Sequence, residues 1–377
     1  MVKLLHTADW QMGMKVLLVG GKGKEVRDKR YEALSKIVDL AKQEHVDFVL
    51  LAGDVFENND VDESTVKRTV DALNRLKPIQ VFVIPGNHDP LVPGSVWNRH
   101  SWKRVDDHVH LMQESQEVEL GGKVALYPCP LKQKQSQLDP TAWIPARRQD
   151  DSRIRIGVAH GSLDDLPGNV NFPIDSKRAE LSDLDYLALG DWHSFVQRGR
   201  TVYPGTIEPT CFTEQEPGNA LIVDIPGPGK DPTIQKHRVS SLTWTDASLT
   251  ICDETDVEKL DSDMQNSAAS VSNLIARVTI SYGPYVSPAT RDRLRALRRQ
   301  LEECAFFVDW NEPTAPETEA TASSLPEGVL KLVDEALSAI KEGRIPDGPG
   351  KPYAAEDPAV VDEARDLLRT LARGDGS

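Results

Sequence analysis

The sequence predicts an α/β protein, and three observations carry that prediction. Short apolar runs of strand length, Leu4-Leu5-His6-Thr7-Ala8, Phe48-Val-Leu-Leu-Ala52 and Val81-Phe-Val-Ile84, each break into glycine or polar residues. Between them lie stretches with helical periodicity, marked by Leu34, Ile37, Val38 and Ala41, then by Val66, Val70 and Leu73. The order strand-helix-strand-helix-strand calls for parallel strands joined by right-handed crossovers. The expected organisation is a large domain over 1–230, a small α+β domain over 231–312, a linker over 313–326 and a helical tail over 327–377.

Taken in order, residues 2–8 read as a buried strand ending at Asp9-Trp10-Gln11. The Gly/Lys-rich stretch from Val19 to Lys24 lacks the spacing of a phosphate-binding loop and reads as a solvated loop, with a basic strip on a phosphodiester backbone as the functional alternative. A helix over about 25–44, a strand over 46–52 leading to Asp54, a helix near 63–76 and a strand over 79–84 follow. Residues 90–110 carry Trp97, His100, Trp102, His108 and His110 without metal-ligand spacing, and these read as packing or surface groups. Strand-like runs at 117–127 and 153–159 flank a loop rich in Gln, Pro and Arg, and the second run ends at His160-Gly161. A run over 184–189 enters Gly190-Asp191-Trp192-His193, and residues 200–225 read as antiparallel β around the turn Tyr203-Pro-Gly-Thr206.

The Pro/Gly cluster at 226–232 is the clearest break in the chain. Beyond it, a strand over 274–282, a helix over 288–304 and a strand at 306–308 form a β-α-β-like unit. Leu294, Leu297 and Leu301 give that helix an apolar stripe, while Arg291, Arg293, Arg295, Arg298 and Arg299 mark a solvated face or, functionally, a DNA-facing patch. Residues 311–326 have linker composition, and helices over about 327–342 and 357–373 are candidates for a partner-binding module.

Composition narrows the class. The 377 residues are 39% hydrophobic and 27% charged, a globular balance, and no apolar run approaches the roughly 18 residues of a membrane span. A strand entered by residue 2 leaves no room for a basic-then-apolar leader, so a cytoplasmic protein is expected. Cys129, Cys211, Cys252 and Cys304 are scattered without CxxC spacing, as reduced cysteines would be. The net charge of −15 disfavours a uniformly nucleic-acid-binding surface, but residues 311–377 alone hold 14 acidic and 7 basic side chains. DNA binding then needs local basic patches and metal ions.

The strand ends collect Asp9, Gln11, Asp54, Asn87, His88, His160, Asp191 and His193. In open α/β sheets ligands bind beyond the carboxyl ends of the strands. Hydrolysing a phosphodiester near neutral pH requires charge neutralisation and an activated water, which two divalent ions held by carboxylate, amide and imidazole groups supply. A histidine left uncoordinated beside the phosphate then serves as proton donor or transition-state stabiliser.

Ordered as His6-Thr-Ala-Asp-Trp-Gln-Met-Gly13, Ala52-Gly-Asp-Val-Phe56, Pro85-Gly-Asn-His-Asp89, Ala159-His-Gly161, Gly190-Asp-Trp-His193 and Tyr203-Pro-Gly-Thr206, these blocks resemble the calcineurin-like metallophosphoesterases. Within them the chain resembles the DNA double-strand-break repair nuclease branch, the SbcD-type component of SbcCD complexes. The resemblance covers residues 4 to 206; beyond it the small domain and the helices match the branch only by position and pattern. It implies a four-layer-type β-sandwich flanked by helices, a capping domain, and a helical tail that binds an SMC-like ABC ATPase subunit. It also implies DNA as substrate and a homodimer, formed near residues 63–76 and 90–104. By motif, one ion takes Asp9, Asp54 and His193, and the other takes Asp54, Asn87, His160 and position 191. His88 is then the catalytic group and Asp89 its orienting partner.

Two positions depart from the pattern. Gln11 stands where the family has an imidazole, and Asp191 stands where it has another. Both changes exchange nitrogen for oxygen, so a preference for Mn²⁺ or Mg²⁺ is expected if Gln11 is a ligand; otherwise one ion binds loosely or is absent. Hydrolysis of small phosphoesters, and a non-catalytic scaffold for DNA or ATPase, are the alternative readings.

Overall fold

The computed structural model describes residues 1–168, 171–283, 286–313, 329–341, 362 and 364–366. The chain forms two units, Met1–Leu242 and Thr243–Ser377. In chain order the first unit contains β1 (Val2–Thr7), α1 (Gly23–Gln43), β2 (Phe48–Ala52), α2 (Glu63–Asn74), β3 (Gln80–Ile84) and β4 (Val109–Leu111). There follow β5 (Val118–Leu120), β6 (Val124–Cys129), β7 (Ile154–His160), α3 (Arg178–Leu181), β8 (Tyr186–Gly190), β9 (Val196–Arg198), β10 (Thr201–Tyr203), β11 (Asn219–Ile225) and β12 (Thr233–Arg238).

These strands make two six-stranded sheets, ordered β12-β11-β1-β2-β3-β4 and β5-β6-β7-β8-β10-β9. β1, β2, β3 and β4 are parallel, as the alternation of strand and helix requires. The strands read as continuous apolar runs because both faces are covered. Leu4, Phe48, Leu50, Phe82 and Ile84 meet Leu126, Ile156, Val158, Tyr186 and Ala188 between the sheets. Leu5, Val49, Leu51, Val81 and Val83 face Leu34, Ile37 and Val38 of α1 and Val66, Val70 and Leu73 of α2. The outer face of the second sheet is covered by Ile144, Leu163, Ile174 and Ala179, supplied by α3 and ordered loops. The α/β sandwich flanked by helices is therefore present.

α2 starts where Asp62 accepts a hydrogen bond from Thr65 N, an N-cap of the ordinary kind. Trp97 and Trp102 pack edge-on against Phe56 and each other, so these residues of the 90–110 segment are core groups. Residues 200–225 are not wholly antiparallel: β10 runs parallel to β8 and antiparallel to β9. The expected break at 230 falls between β11 and β12, which are paired through six registered positions, so the first unit runs on to Leu242. The Pro/Gly cluster is a hairpin connection, and turn composition alone does not distinguish that from a domain boundary.

The second unit is built from β13 (Thr243–Ile251), α4 (Glu254–Ser267), β14 (Leu274–Tyr282), α5 (Pro288–Cys304), β15 (Phe307–Asn311) and α6 (Val329–Lys341). Its three strands are parallel in the order β13-β14-β15, so the β-α-β pattern extends one strand and one helix earlier than the sequence reading placed it. Ser287 caps α5 and Pro288 opens it, which is why its start is legible. The arginine face is largely paired within its own unit. Arg293 reaches Glu254 and Glu258, Arg295 reaches Asp292, and Arg298 reaches Glu302. That pairing favours the solvated face over the DNA-facing patch. The expected linker at 313–326 lies, apart from its first residue, outside the described residues, as does most of the expected helix at 357–373. Cys129 is buried and Cys211, Cys252 and Cys304 are exposed, all with free thiols. Among the described residues no helix is long and apolar enough to cross a membrane.

Candidate metal centre

The loops that leave β1, β2, β3, β7 and β8 converge at one end of the sandwich, and their backbones interlock before any side chain is considered. Asp9 N donates to Gly53 O at 3.1 Å, Gln11 N to Asp54 O at 2.9 Å, and Gly161 N to Gly190 O at 3.1 Å. Asp9, Gln11, Asp54 and Asp191 all have positive φ, at 51°, 44°, 51° and 102°. Non-glycine residues rarely adopt this region, and such outliers gather at functional sites. The adjoining glycines are required by contact. A Cβ on Gly53, whose φ is +88°, would lie 2.3 Å from the His160 ring, and one on Gly86 would lie 2.1 Å from Asp54 Oδ1.

Ligand-type atoms of Asp9, Asp54 and His160 lie within 4.8 Å of one another and all three residues are buried. Asp9 accepts from Asp191 N through both carboxylate oxygens, at 3.1 and 3.2 Å. Asp54 Oδ1 accepts from His88 N at 2.9 Å and lies 3.4 Å from His160 Nε2. Asp191 Oδ2 accepts from Ser162 Oγ at 2.6 Å, and its Oδ1 lies 3.8 Å from His160 Nε2. Asn87 Oδ1 lies 2.8 Å from the same ring nitrogen. On the other side Gln11 places its amide 2.9 Å from His193 Nε2.

Both imidazoles are anchored through the nitrogen that faces away from this cluster. His160 Nδ1 bonds to Ala52 O at 2.9 Å, and His193 Nδ1 bonds to Glu214 Oε1 at 2.9 Å and Thr210 Oγ1 at 3.1 Å. Such acceptors fix the tautomer of a metal-binding histidine and leave Nε2 for the ion. With Nδ1 protonated, a neutral His160 sets its Nε2 lone pair 2.8 Å from the Asn87 carbonyl oxygen, two acceptors with no hydrogen between them. A second ring proton, an Asn87 amide turned to present its NH2, or a shared cation reconciles that contact. The 2.8 Å between Asn87 Oδ1 and His160 Nε2 also matches neighbours in one coordination shell, about 3 Å apart for bonds near 2.1 Å.

The electrostatics agree. Burial alone would lower His160, but Asp54, Asp9 and Asp191 outweigh it and hold the ring well above its usual pKa. Burial pushes Asp9 up to about 6, with His160 and His193 opposing. Burial also works against charge on Asp54, yet His160 and His88 hold that carboxylate below its ordinary value. A site that retains a proton on a buried imidazole because three carboxylates face it is a site that attracts a divalent cation. The donor set of carboxylates, amides and two imidazoles suits such an ion.

His88 stands apart from this set. Its side chain is 40% exposed, Nδ1 bonds to Glu57 O at 2.9 Å, and Nε2 lies 3.9 Å from Asp54 Oδ2. Asp89 does not orient it. Both Asp89 oxygens are occupied by backbone, Oδ1 by Gly86 N at 2.7 Å and Oδ2 by Phe56 N at 3.0 Å, so Asp89 braces the two loops instead. Sequence reasoning also misses Glu57, Ser162, Thr210 and Glu214, which meet the site from distant loops and follow no motif spacing. Thr206 and Tyr203, noted only as a turn, hold Asp9 O and Gly161 O at 2.9 and 2.7 Å.

The Calcineurin-like phosphoesterase family description matches residues 2–195, about half the chain. The chain belongs to the calcineurin-like phosphoesterases. This phosphoesterase is 25% identical over 238 residues to the uncharacterized metallophosphoesterase YhaO of Bacillus subtilis, covering 60% of this chain and 56% of that one. It is 31% identical over 113 residues to the SbcD component of the nuclease SbcCD of Staphylococcus saprophyticus, covering 28% and 29% of the two chains. Over 91 residues it is 31% identical to the DNA double-strand break repair protein Mre11 of Saccharolobus solfataricus, covering 24% and 23%. The phosphoesterase thus spans little over half of one of these relatives and under a third of the others. A metal-dependent phosphoester hydrolase accounts for the family match and the buried carboxylate–imidazole cluster alike.

Proposed function

We propose that the chain hydrolyses DNA phosphodiesters with two divalent ions, Mn²⁺ favoured and Mg²⁺ accepted, as the nuclease subunit of an SbcCD-like double-strand-break repair complex. The observation that carries the hydrolytic reading is the convergence of Asp9, Asp54 and His160 beneath a partly exposed His88. The partial likenesses to the SbcCD nuclease and to Mre11 support DNA as the substrate. Asp9, Gln11, Asp54 and His193 would hold one ion, and Asp54, Asn87, His160 and Asp191 the other, with Asp54 shared. Bound there, divalent ions neutralise phosphate charge and activate water for attack.

The remaining work falls to the chain itself. His88 hydrogen-bonds through its Nδ1–H to the Glu57 carbonyl, so that in the imidazolium form its Nε2–H is the proton delivered to the departing oxygen, leaving neutral imidazole. Ala52 O holds the buried His160 ring and Glu214 the half-buried His193 ring in register, and Asp89 fixes the loop that carries His88. A homodimer and an SMC-like ABC ATPase engaged by residues 327–377 complete the proposal.

The test is hydrolysis of labelled linear duplex, labelled single strands and bis(p-nitrophenyl) phosphate with Mn²⁺, alongside Asp54→Asn. The variant should lose at least about 100-fold on every substrate while remaining folded. Preference for a phosphomonoester over all three substrates, or a wild type inactive with every metal tried, would overturn the reading. A chain truncated at about 325 should keep hydrolysis and lose the ATPase; retained complex formation would remove the tail from the proposal.

A further inference from the structure

Beside His88 the fold leaves a hollow of about 210 Å³ that the metal ligands alone do not account for. Four of the seven residues that line it, Asn58, Asn87, Gln135 and Asn171, carry carboxamides. His88, Glu57 and Lys134 complete it, and no aliphatic or aromatic hydrocarbon side chain takes part. Such residues offer a ligand several hydrogen-bond donors and acceptors beside the apolar stems that carry them. The volume equals roughly seven waters, room for one base or one sugar-phosphate and too little for a duplex.

Lys134 is held at this hollow by the fold on both sides. Upstream, Leu131 N donates to Pro85 O at 3.2 Å and Leu91 N donates to Leu131 O at 2.9 Å, tying the segment to the two ends of the His88 loop. Downstream, Asn171 donates from Nδ2 to Lys134 O and accepts Ser136 N at Oδ1, each at 3.0 Å. Phe172 N donates to Ser136 O at 3.0 Å. Two residues earlier, Lys132 is neutralised by Glu114 at 2.7 Å. Lys134 is exposed, and among the described residues its ammonium has no carboxylate partner. The Glu57 carboxyl on the same wall repels a phosphate, so an anionic group belongs at the Lys134 end and a neutral base or sugar beside Glu57.

We infer that this hollow seats the nucleotide next to the scissile phosphate, and that Lys134 pairs with that nucleotide's own phosphate. The inference rests on the phosphodiesterase reading and adds to it a substrate that carries a flanking phosphate. A lysine on a phosphate reads charge and not sequence, so the contact should serve every base alike.

The experiment compares Lys134→Gln with wild type on bis(p-nitrophenyl) phosphate, which has no flanking phosphate, and on a single-stranded oligonucleotide, which has one at each linkage. On the oligonucleotide kcat/KM should fall about 5- to 10-fold, mostly through KM and equally for different base sequences. The slope of log kcat/KM against log salt should become shallower by about 0.7, the counterion release of one contact on a single strand. Activity on bis(p-nitrophenyl) phosphate should stay within about twofold of wild type, and Lys134→Arg should restore the oligonucleotide rate. Equal losses on the two substrates, or an unchanged oligonucleotide KM and salt slope, would overturn the inference. A wild type that cleaves neither substrate would instead remove the phosphodiesterase reading, and this one with it.

Discussion

Gln11 is the residue through which the proposed centre's choice of ion can be tested. Its amide meets His193 Nε2 at 2.9 Å, in the place where an imidazole would give a softer ligand. Gln11→His should raise affinity for Zn²⁺ or Co²⁺ relative to Mn²⁺ by about tenfold, read by calorimetric titration of each metal. Unchanged affinities and stoichiometry would show that position 11 lies outside the coordination shell. Asp89 makes a different point. Asp89→Ala would leave the buried N–H groups of Gly86 and Phe56 without acceptors, at a cost of about 2–4 kcal/mol in denaturant unfolding. A catalytic group with no bracing role would cost activity and little stability, so that measurement separates the two. The candidate ligands at the strand ends, Gln11 among them, are legible in the sequence because metal chemistry restricts residue choice. The bracing role of Asp89 is not, because a carboxylate beside His88 in sequence points away from it in space.

At the scale of elements, the strand ends matter more than the strands. β1, β2 and β3 are readable from their apolar runs, and α5 from Ser287-Pro288 at its start. β13 is not, since its side chains are mostly half-buried or exposed and include Asp246, Ser248 and Thr250. The segment after β10 shows how the site loops are tied to the end of the first unit. Glu208 is buried and accepts from Ser241 N and, at 3.2 Å, from Leu242 N. Burial pushes its carboxyl up to about 7 despite those two bonds. The folded state therefore holds the Glu208 proton more tightly than the unfolded chain, whose glutamate titrates near 4.5. Stability from this group is complete below that value and is lost as pH rises through about 7. Between about pH 4.5 and 8 the loss is at most about 3 kcal/mol, and Glu208→Gln should remove it. Urea unfolding at both pH values in the two proteins checks this; an equal pH dependence in the variant would exclude Glu208 as its source.

For the whole molecule, the unit boundary sets where the chain can be cut. A protein of residues 1–242 should unfold cooperatively and retain metal-dependent hydrolysis of a small diester. One ending at 230 loses β12, exposes β11 as an edge and should be several kcal/mol less stable or aggregate, as thermal unfolding of the pair will show. Equal stability would place the working boundary back at the Pro/Gly cluster. The architecture was legible because strand and helix periods alternate cleanly up to residue 84; this cut was not, because a hairpin turn and a linker share one composition. The left-handed residues at the strand ends carry a last consequence, for adaptation of the fold. Asp9, Gln11, Asp54 and Asp191 hold backbone angles that glycine or asparagine tolerates better. A population selected for heat resistance alone would gather glycine wherever the relieved strain outweighs the hydrogen bonds those side chains make, and would shed donors for its ions with it. Heat-resistant variants that still retain all four original side chains would mark lineages in which hydrolysis stayed under selection.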